Sequence, residues 1–189
     1  MQTKNVITFY GMVRKPDNKI CLVMEYAEYG NLQNYLSKTQ YEWEQKAEWA
    51  IDISRGLITC HEYGIPHLNM KTKNIFVDYA LTLKFADFGL SYMRPILNIE
   101  CTDKDIYSYG LVVWEILMNG KRPYGNMYNG EIIEAKLSKK TDNLIEELKG
   151  GDAPDELSNV VQKCCVYNPF NRIALEKVEL LLSKYNKEQ

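Results

Sequence analysis

Two short runs of β-branched and aromatic residues open the chain. Val6-Ile7-Thr8-Phe9-Tyr10-Gly11-Met12-Val13 and Ile20-Cys21-Leu22-Val23-Met24-Glu25-Tyr26 flank Lys15-Pro16-Asp17-Asn18-Lys19, a turn by composition. They predict a β-hairpin. An isolated hairpin is marginal in water, so this one must lean on the body that follows, and its edge is open to further pairing. The periodicity then becomes helical. Asn31 is placed to cap a short helix from Leu32. Trp43, Ala47, Ala50, Ile51, Ser54, Leu57, Ile58 and His61 recur at helical spacing between Tyr41 and Tyr63, and Gly64 supplies the stop. His61 reads as a packing residue of that helix. Ile75-Phe76-Val77 and Leu81 to Phe85 predict two more short strands. Asp105 to Met118 is apolar on all sides, the mark of a buried central helix, with Gly120 ending it and Pro123 preventing its resumption. Ile132 to Leu137 predicts a short helix. Thr141 to Asp152 is polar and carries Gly150-Gly151, which predicts a surface loop. Pro154 to Tyr167 and Ile173 to Tyr185 predict the last two helices.

Composition narrows the class without choosing a function. The chain has 189 residues, 46% hydrophobic and 25% charged, and fits one globular domain, residues 1–189. A net charge of −2 gives no electrostatic footprint for nucleic acid or an acidic membrane surface. No apolar run is long enough to span a bilayer, and Met1 to Asn5 is polar, unlike a signal peptide. The five cysteines follow no metal-ligand spacing, and Cys164-Cys165 reads as a helix-packing pair. A reducing, cytoplasmic setting is the simple expectation. The 14 tyrosines include candidates for contact surfaces.

The chemistry concentrates in His67-Leu68-Asn69-Met70-Lys71-Thr72-Lys73-Asn74 and in Asp87-Phe88-Gly89. These runs resemble the protein-kinase catalytic loop, H-R-D-L-x-x-x-N, and the D-F-G metal turn. Further runs follow in the family's order: Val23-Met24-Glu25-Tyr26 with Gly30-Asn31-Leu32, then Asp105-Ile106-Tyr107-Ser108-Tyr109-Gly110, then Asn168-Pro169-Phe170-Asn171-Arg172. The resemblance implies an α+β fold, mostly α. Residues 27–189 would form the large lobe, and residues 1–26 a small-lobe remnant and hinge. Asn69 stands where the family has its catalytic Asp. A carboxylate can accept the proton of an attacking hydroxyl, and an amide cannot. No glycine-rich loop, strand lysine or A-P-E turn is recognisable. From these departures the chain is expected to be a pseudokinase and not an enzyme, with no cofactor and no metal. Asn74, Asp87, Met24 and Tyr26 are then vestigial nucleotide and metal positions. His67, Asp105 and Arg172 are structural. Arg172 lacks its usual family partner and needs a substitute carboxylate or carbonyls.

Within that class, Val23 to Leu32, Ser54-Arg55-Gly56-Leu57, Val113-Trp114-Glu115-Ile116 and Ala153-Pro154-Asp155-Glu156-Leu157 are similar to the pseudokinase domain of MLKL. The shortened architecture is most similar to the poxviral homologues of MLKL. That resemblance implies a monomeric binding decoy that sequesters a host receptor-interacting serine/threonine kinase and so inhibits necroptosis, with no nucleic acid or membrane partner. Its contact regions would be the hairpin, with Phe9 and Tyr10, and the apolar run containing Ile96 and Leu97. The alternatives are a nucleotide-binding regulatory kinase-like domain or a fragment of a tyrosine-kinase-like protein kinase.

Overall fold

A computed structural model describes residues 4–88, 102–125 and 141–188. Strands β1 (Phe9–Arg14) and β2 (Ile20–Met24) pair antiparallel as a hairpin, with a bulge between Phe9 and Gly11. Asn18 at φ 64° turns the chain between them. The hairpin leans on the body through its base. Ile7 N–H donates to Phe85 O at 3.0 Å and Phe85 N–H to Asn5 O at 3.1 Å. Glu25 pairs with Lys84 and accepts the Thr8 N–H, which ties both ends of the hairpin to the neighbouring sheet. Beyond that base, Phe9, Tyr10, Met12, Ile20 and Leu22 are exposed.

Helix α1 (Leu32–Leu36) starts as its sequence directs, with Asn31 Oδ1 accepting the Asn34 N–H at 3.0 Å. Helix α2 (Trp43–Glu62) closes at Gly64, whose φ of 67° suits a residue without a Cβ. Strands β3 (Ile75–Val77) and β4 (Leu83–Phe85) form a second antiparallel pair. Helix α3 (Thr102–Leu117) is the buried central helix, and Tyr109, Val112, Val113, Trp114, Ile116 and Leu117 all lie in the core. It packs between α2 and α5 (Asp155–Cys164), while α6 (Leu175–Glu188) runs along α2.

The large aromatics satisfy their polar tips as they are buried. Trp49 Nε1–H donates to Leu81 O at 2.9 Å, Trp114 Nε1–H to Leu144 O at 2.8 Å and Tyr109 O–H to Ala50 O at 3.1 Å. Gly110 is required by close approach. A Cβ there would lie 2.7 Å from both Cys164 Cβ and Cys165 Sγ, so the cysteine pair packs on α3 as its sequence suggests.

One expected loop is a helix. Residues Thr141–Gly150 form α4, with Leu144, Ile145 and Leu148 buried. Those three positions fall on one helical face, which outweighs the polar composition around them. The short helix expected at Ile132 to Leu137 lies outside the described residues, as do Ile96 and Leu97. Among the described residues no helix is long and apolar enough to cross a membrane.

Candidate functional site

The site is built where the end of α2, the first turn of α3 and the β3–β4 pair converge. Asp105, on the first turn of α3, is fully buried. One oxygen accepts the Leu68 N–H at 2.7 Å; the other accepts the His67 N–H at 2.7 Å and faces His61 Nε2 at 2.9 Å. A carboxylate bonded to buried amides is a strong anchor. It holds Leu68 at φ 63°, a conformation that a branched side chain adopts only under constraint. His61 is therefore more than a packing residue. Sitting at the C-terminal turn of α2, it completes the polar shell of Asp105. Its helical spacing concealed this, because only the tertiary fold brings α3 to it.

His67 is fully buried between the rings of Phe85 and Phe88, with centroids at 5.3 and 4.9 Å. Its Nε2 meets Ala86 O at 2.9 Å and its Nδ1 accepts the Asn69 N–H at 3.2 Å. A carbonyl only accepts and an amide N–H only donates. The ring is thus the neutral Nε2–H tautomer, and burial holds its pKa below the usual imidazole value. This rigid core carries the catalytic-type loop. Lys71 to Asn74 closes in a 3-10 turn, and Thr72 Oγ1–H donates to buried Glu115 at 2.8 Å.

The chemical face lies on top of that core. Asn69 Nδ2–H donates to Asp87 Oδ2 at 2.7 Å, and Asn74 Nδ2–H donates to the same oxygen at 3.1 Å and to Asn69 O at 2.9 Å. Asp87 is held at φ 68°. The fold therefore brings Asn69, Asn74 and Asp87 together. Met24 and Tyr26 lie elsewhere, exposed at the end of the hairpin. Arg172 finds carbonyls, not a carboxylate. Its guanidinium donates to Asp103 O at 2.7 Å, Val166 O at 3.0 Å and Tyr167 O at 3.4 Å, and stacks near the Tyr107 ring.

One carboxylate and one side-chain amide on adjoining turns suit a hard, oxygen-seeking cation such as Mg²⁺, which uses few protein ligands and shares phosphate oxygens. Among the described residues no cluster of three or more His, Cys, Asp or Glu side chains could make an all-protein cage. Asp87 and Asn74 thus fit a metal carried with a nucleotide.

Comparison with known proteins gives this geometry its setting. Residues 1–95 match the family described as the protein kinase domain, and residues 97–182 match protein tyrosine and serine/threonine kinase. A protein of Acanthamoeba polyphaga mimivirus, provisionally named serine/threonine-protein kinase/receptor R826, is 28% identical over 96% of this chain and 12% of its own length. A Drosophila melanogaster protein provisionally named mitogen-activated protein kinase kinase kinase 7-like is 30% identical over 96% of this chain and 52% of its own. The Arabidopsis thaliana serine/threonine/tyrosine-protein kinase HT1 is 28% identical over 96% of this chain and 51% of its own. The chain thus spans about half the length, or much less, of these relatives. None of the three is named for MLKL.

These matches overturn the expectation that the chain is not an enzyme. It aligns along nearly its whole length with kinase domains, and its relatives carry kinase names. The expectation rested on Asn69 and on the unrecognised glycine-rich loop, strand lysine and A-P-E turn, and the family match along the chain outweighs these departures. In phosphoryl transfer most of the acceleration comes from positioning and charge neutralisation, and a base adds to that without being its source.

Proposed function

The chain belongs to the protein kinase domain family, and we propose that it acts in phosphoryl transfer from a nucleotide to a protein hydroxyl, as part of a serine/threonine-type kinase. The observation that carries this reading is the shared bonding of Asp87 Oδ2 by Asn69 and Asn74, which sets the family's two metal-ligand positions side by side. When bound, Mg²⁺ carried with a nucleotide would supply neutralisation of phosphate charge. Asp87 and Asn74 would hold it. Asp105 and His67 keep the loop rigid, so that Asn69 faces the same place. The Asn69 amide can orient an acceptor hydroxyl by hydrogen bonding but cannot take its proton. Turnover is therefore slow, by about 10²- to 10⁴-fold relative to a chain with a carboxylate there.

The test is transfer of labelled phosphate from ATP, with Mg²⁺, to a generic protein substrate. Asn69→Asp should raise the rate and Asp87→Ala should abolish it. A signal indifferent to Asp87, or no signal even from the Asn69→Asp variant, refutes the reading.

A second reading rests on the exposed hairpin. Phe9 and Tyr10 are 55% and 65% exposed on the same hairpin as the exposed Met12, Ile20 and Leu22, and neighbouring exposed apolar side chains suit a contact surface. The finer resemblance to MLKL supports a receptor-interacting serine/threonine kinase as the partner of this surface. Co-precipitation of such a kinase by the wild type, lost on paired substitution of Phe9 and Tyr10 by Ser, is the expected result. Retention by that variant removes the hairpin from the contact.

A further inference from the structure

The register of the hairpin sorts its side chains by face. Residues directly opposite in an antiparallel pair point to the same side, and alternate residues along a strand share it. Phe9 stands opposite Met24, Met12 opposite Leu22 and Arg14 opposite Ile20, with the bulge keeping Phe9 in step with the others. One face therefore carries Phe9, Met12, Ile20, Leu22 and Met24, each between 45% and 68% exposed, and Arg14 lies at its far end. Val13 and Val23 point the other way. The sheet has two strands among the described residues, so this apolar face is left to water.

The chemistry of the face separates its possible covers. A strand added to an open edge would pair the backbone and leave these side chains exposed. An anionic lipid surface would accept the apolar face and its cation but repel the rest of the molecule. The far end of the hairpin holds Arg14, Lys15 and Lys19 against Asp17, so in a chain of net charge −2 the remaining body is acidic.

A second copy turned end for end meets both conditions. A twofold axis across the strands sets Met12 and Leu22 against their own counterparts and Ile20 against Met24. The same axis sets Arg14 against the Phe9 ring, the aromatic surface that this face offers a guanidinium. Among the described residues Arg14 has no ion pair that would hold it back. Each basic tip then reaches toward the acidic body of the other copy, whereas side-by-side packing would bring the two tips together. The five apolar side chains offer roughly 500 Å² per copy, and a pair of faces thus reaches the total of about 1,000 Å² that a specific interface needs.

We propose that the chain forms a twofold dimer through this face of the hairpin. That departs from the monomer implied by the sequence resemblance, and it does not depend on the phosphoryl-transfer reading.

Sedimentation velocity of the full chain over a range of concentrations tests the proposal. The mass should rise from 22.0 kDa toward twice that value as concentration increases. Leu22 sits at the middle of the face and meets its own copy near the axis. Leu22→Lys and Leu22→Glu should each sediment as a single chain with the circular dichroism of the wild type. An equimolar mixture of the two should recover the doubled mass. Val13→Lys, on the opposite face, should associate as the wild type does. A single-chain mass at every concentration overturns the proposal, whatever else the hairpin captures. So does a folded Leu22→Lys chain that still doubles, a folded Val13→Lys chain that does not, or a mixture that fails to associate. A mass that grows past two copies also overturns it, because open edge pairing and not a closed twofold would then be at work.

Discussion

Asn69 donates its side-chain amide to Asp87 Oδ2 at 2.7 Å, so the residue at the base position holds the metal-turn carboxylate directly. A carboxylate at position 69 could not do this. It would set two like charges at hydrogen-bond distance, a geometry that needs a cation or a proton between them. The Asn69→Asp variant should therefore lose about 1 kcal/mol of stability in metal-free buffer, from the missing hydrogen bond to a charged group. Added Mg²⁺ should restore the variant and change the wild type less. Thermal melting of both chains with chelator and with MgCl₂ checks this. Equal responses to Mg²⁺ would show that the Asn69–Asp87 bond does not govern metal affinity.

Asp105 carries a heavier structural burden. It is buried, accepts the His67 and Leu68 N–H groups and meets His61. Asp105→Asn keeps the shape but replaces one accepting oxygen by an NH₂ group facing other donors. The expected loss is about 3 kcal/mol, the range for breaking a buried charged hydrogen-bond network. Urea unfolding should show a lower midpoint with little change in slope. A loss below the size of one ordinary hydrogen bond would mean the loop is held chiefly by ring packing around His67.

These two residues also show what could be read before folding. Asn69 and Asp87 stand out in one dimension, because the motif fixes their spacing along the chain. Likewise, the apolar run of α3 can only be a core helix. The bond from His61 to Asp105 could not be read, since helical spacing gives a histidine the same appearance whether it meets a leucine or a buried carboxylate. Arg172 left two kinds of partner open, and the choice of carbonyls depends on where the turn after α5 comes to rest. Helix α4 was hidden by its composition, although Leu144, Ile145 and Leu148 already share a face. The inference of inactivity failed for a different reason: it read departures at a few motif positions as decisive, whereas the likeness to kinase domains runs along nearly the whole chain.

The crossing of α3 and α5 depends on Gly110. A methyl group there would lie 2.7 Å from Cys164 Cβ and Cys165 Sγ, closer than carbon and sulfur tolerate. Both cysteines are buried, so neither has open space to move into. Gly110→Ala should cost about 2 kcal/mol through overpacking, despite the better helix propensity of alanine. Thermal or urea unfolding measures it. A stabilised variant would show that the two helices can separate at no cost.

Acid should weaken the fold through His67. The chain has 2 histidines, and His67 is the one buried as a neutral ring with both nitrogens in use. Its folded pKa is lowered from 6.5, with burial the largest cause. In the unfolded chain the ring takes a proton near 6.5, so between that value and the lower folded pKa the unfolded state binds more protons. The contribution of His67 is thus fully present above the unfolded pKa and is lost as pH falls through the folded one. Protonation would place a hydrogen on Nδ1, directly against the Asn69 N–H, and so loosen the loop that carries Asn69. Unfolding free energy should decline from pH 7 toward pH 5, and His67→Phe should flatten that decline even if it lowers stability throughout. An unchanged slope in the variant would assign the acid sensitivity to other groups and leave the neutral tautomer without thermodynamic consequence.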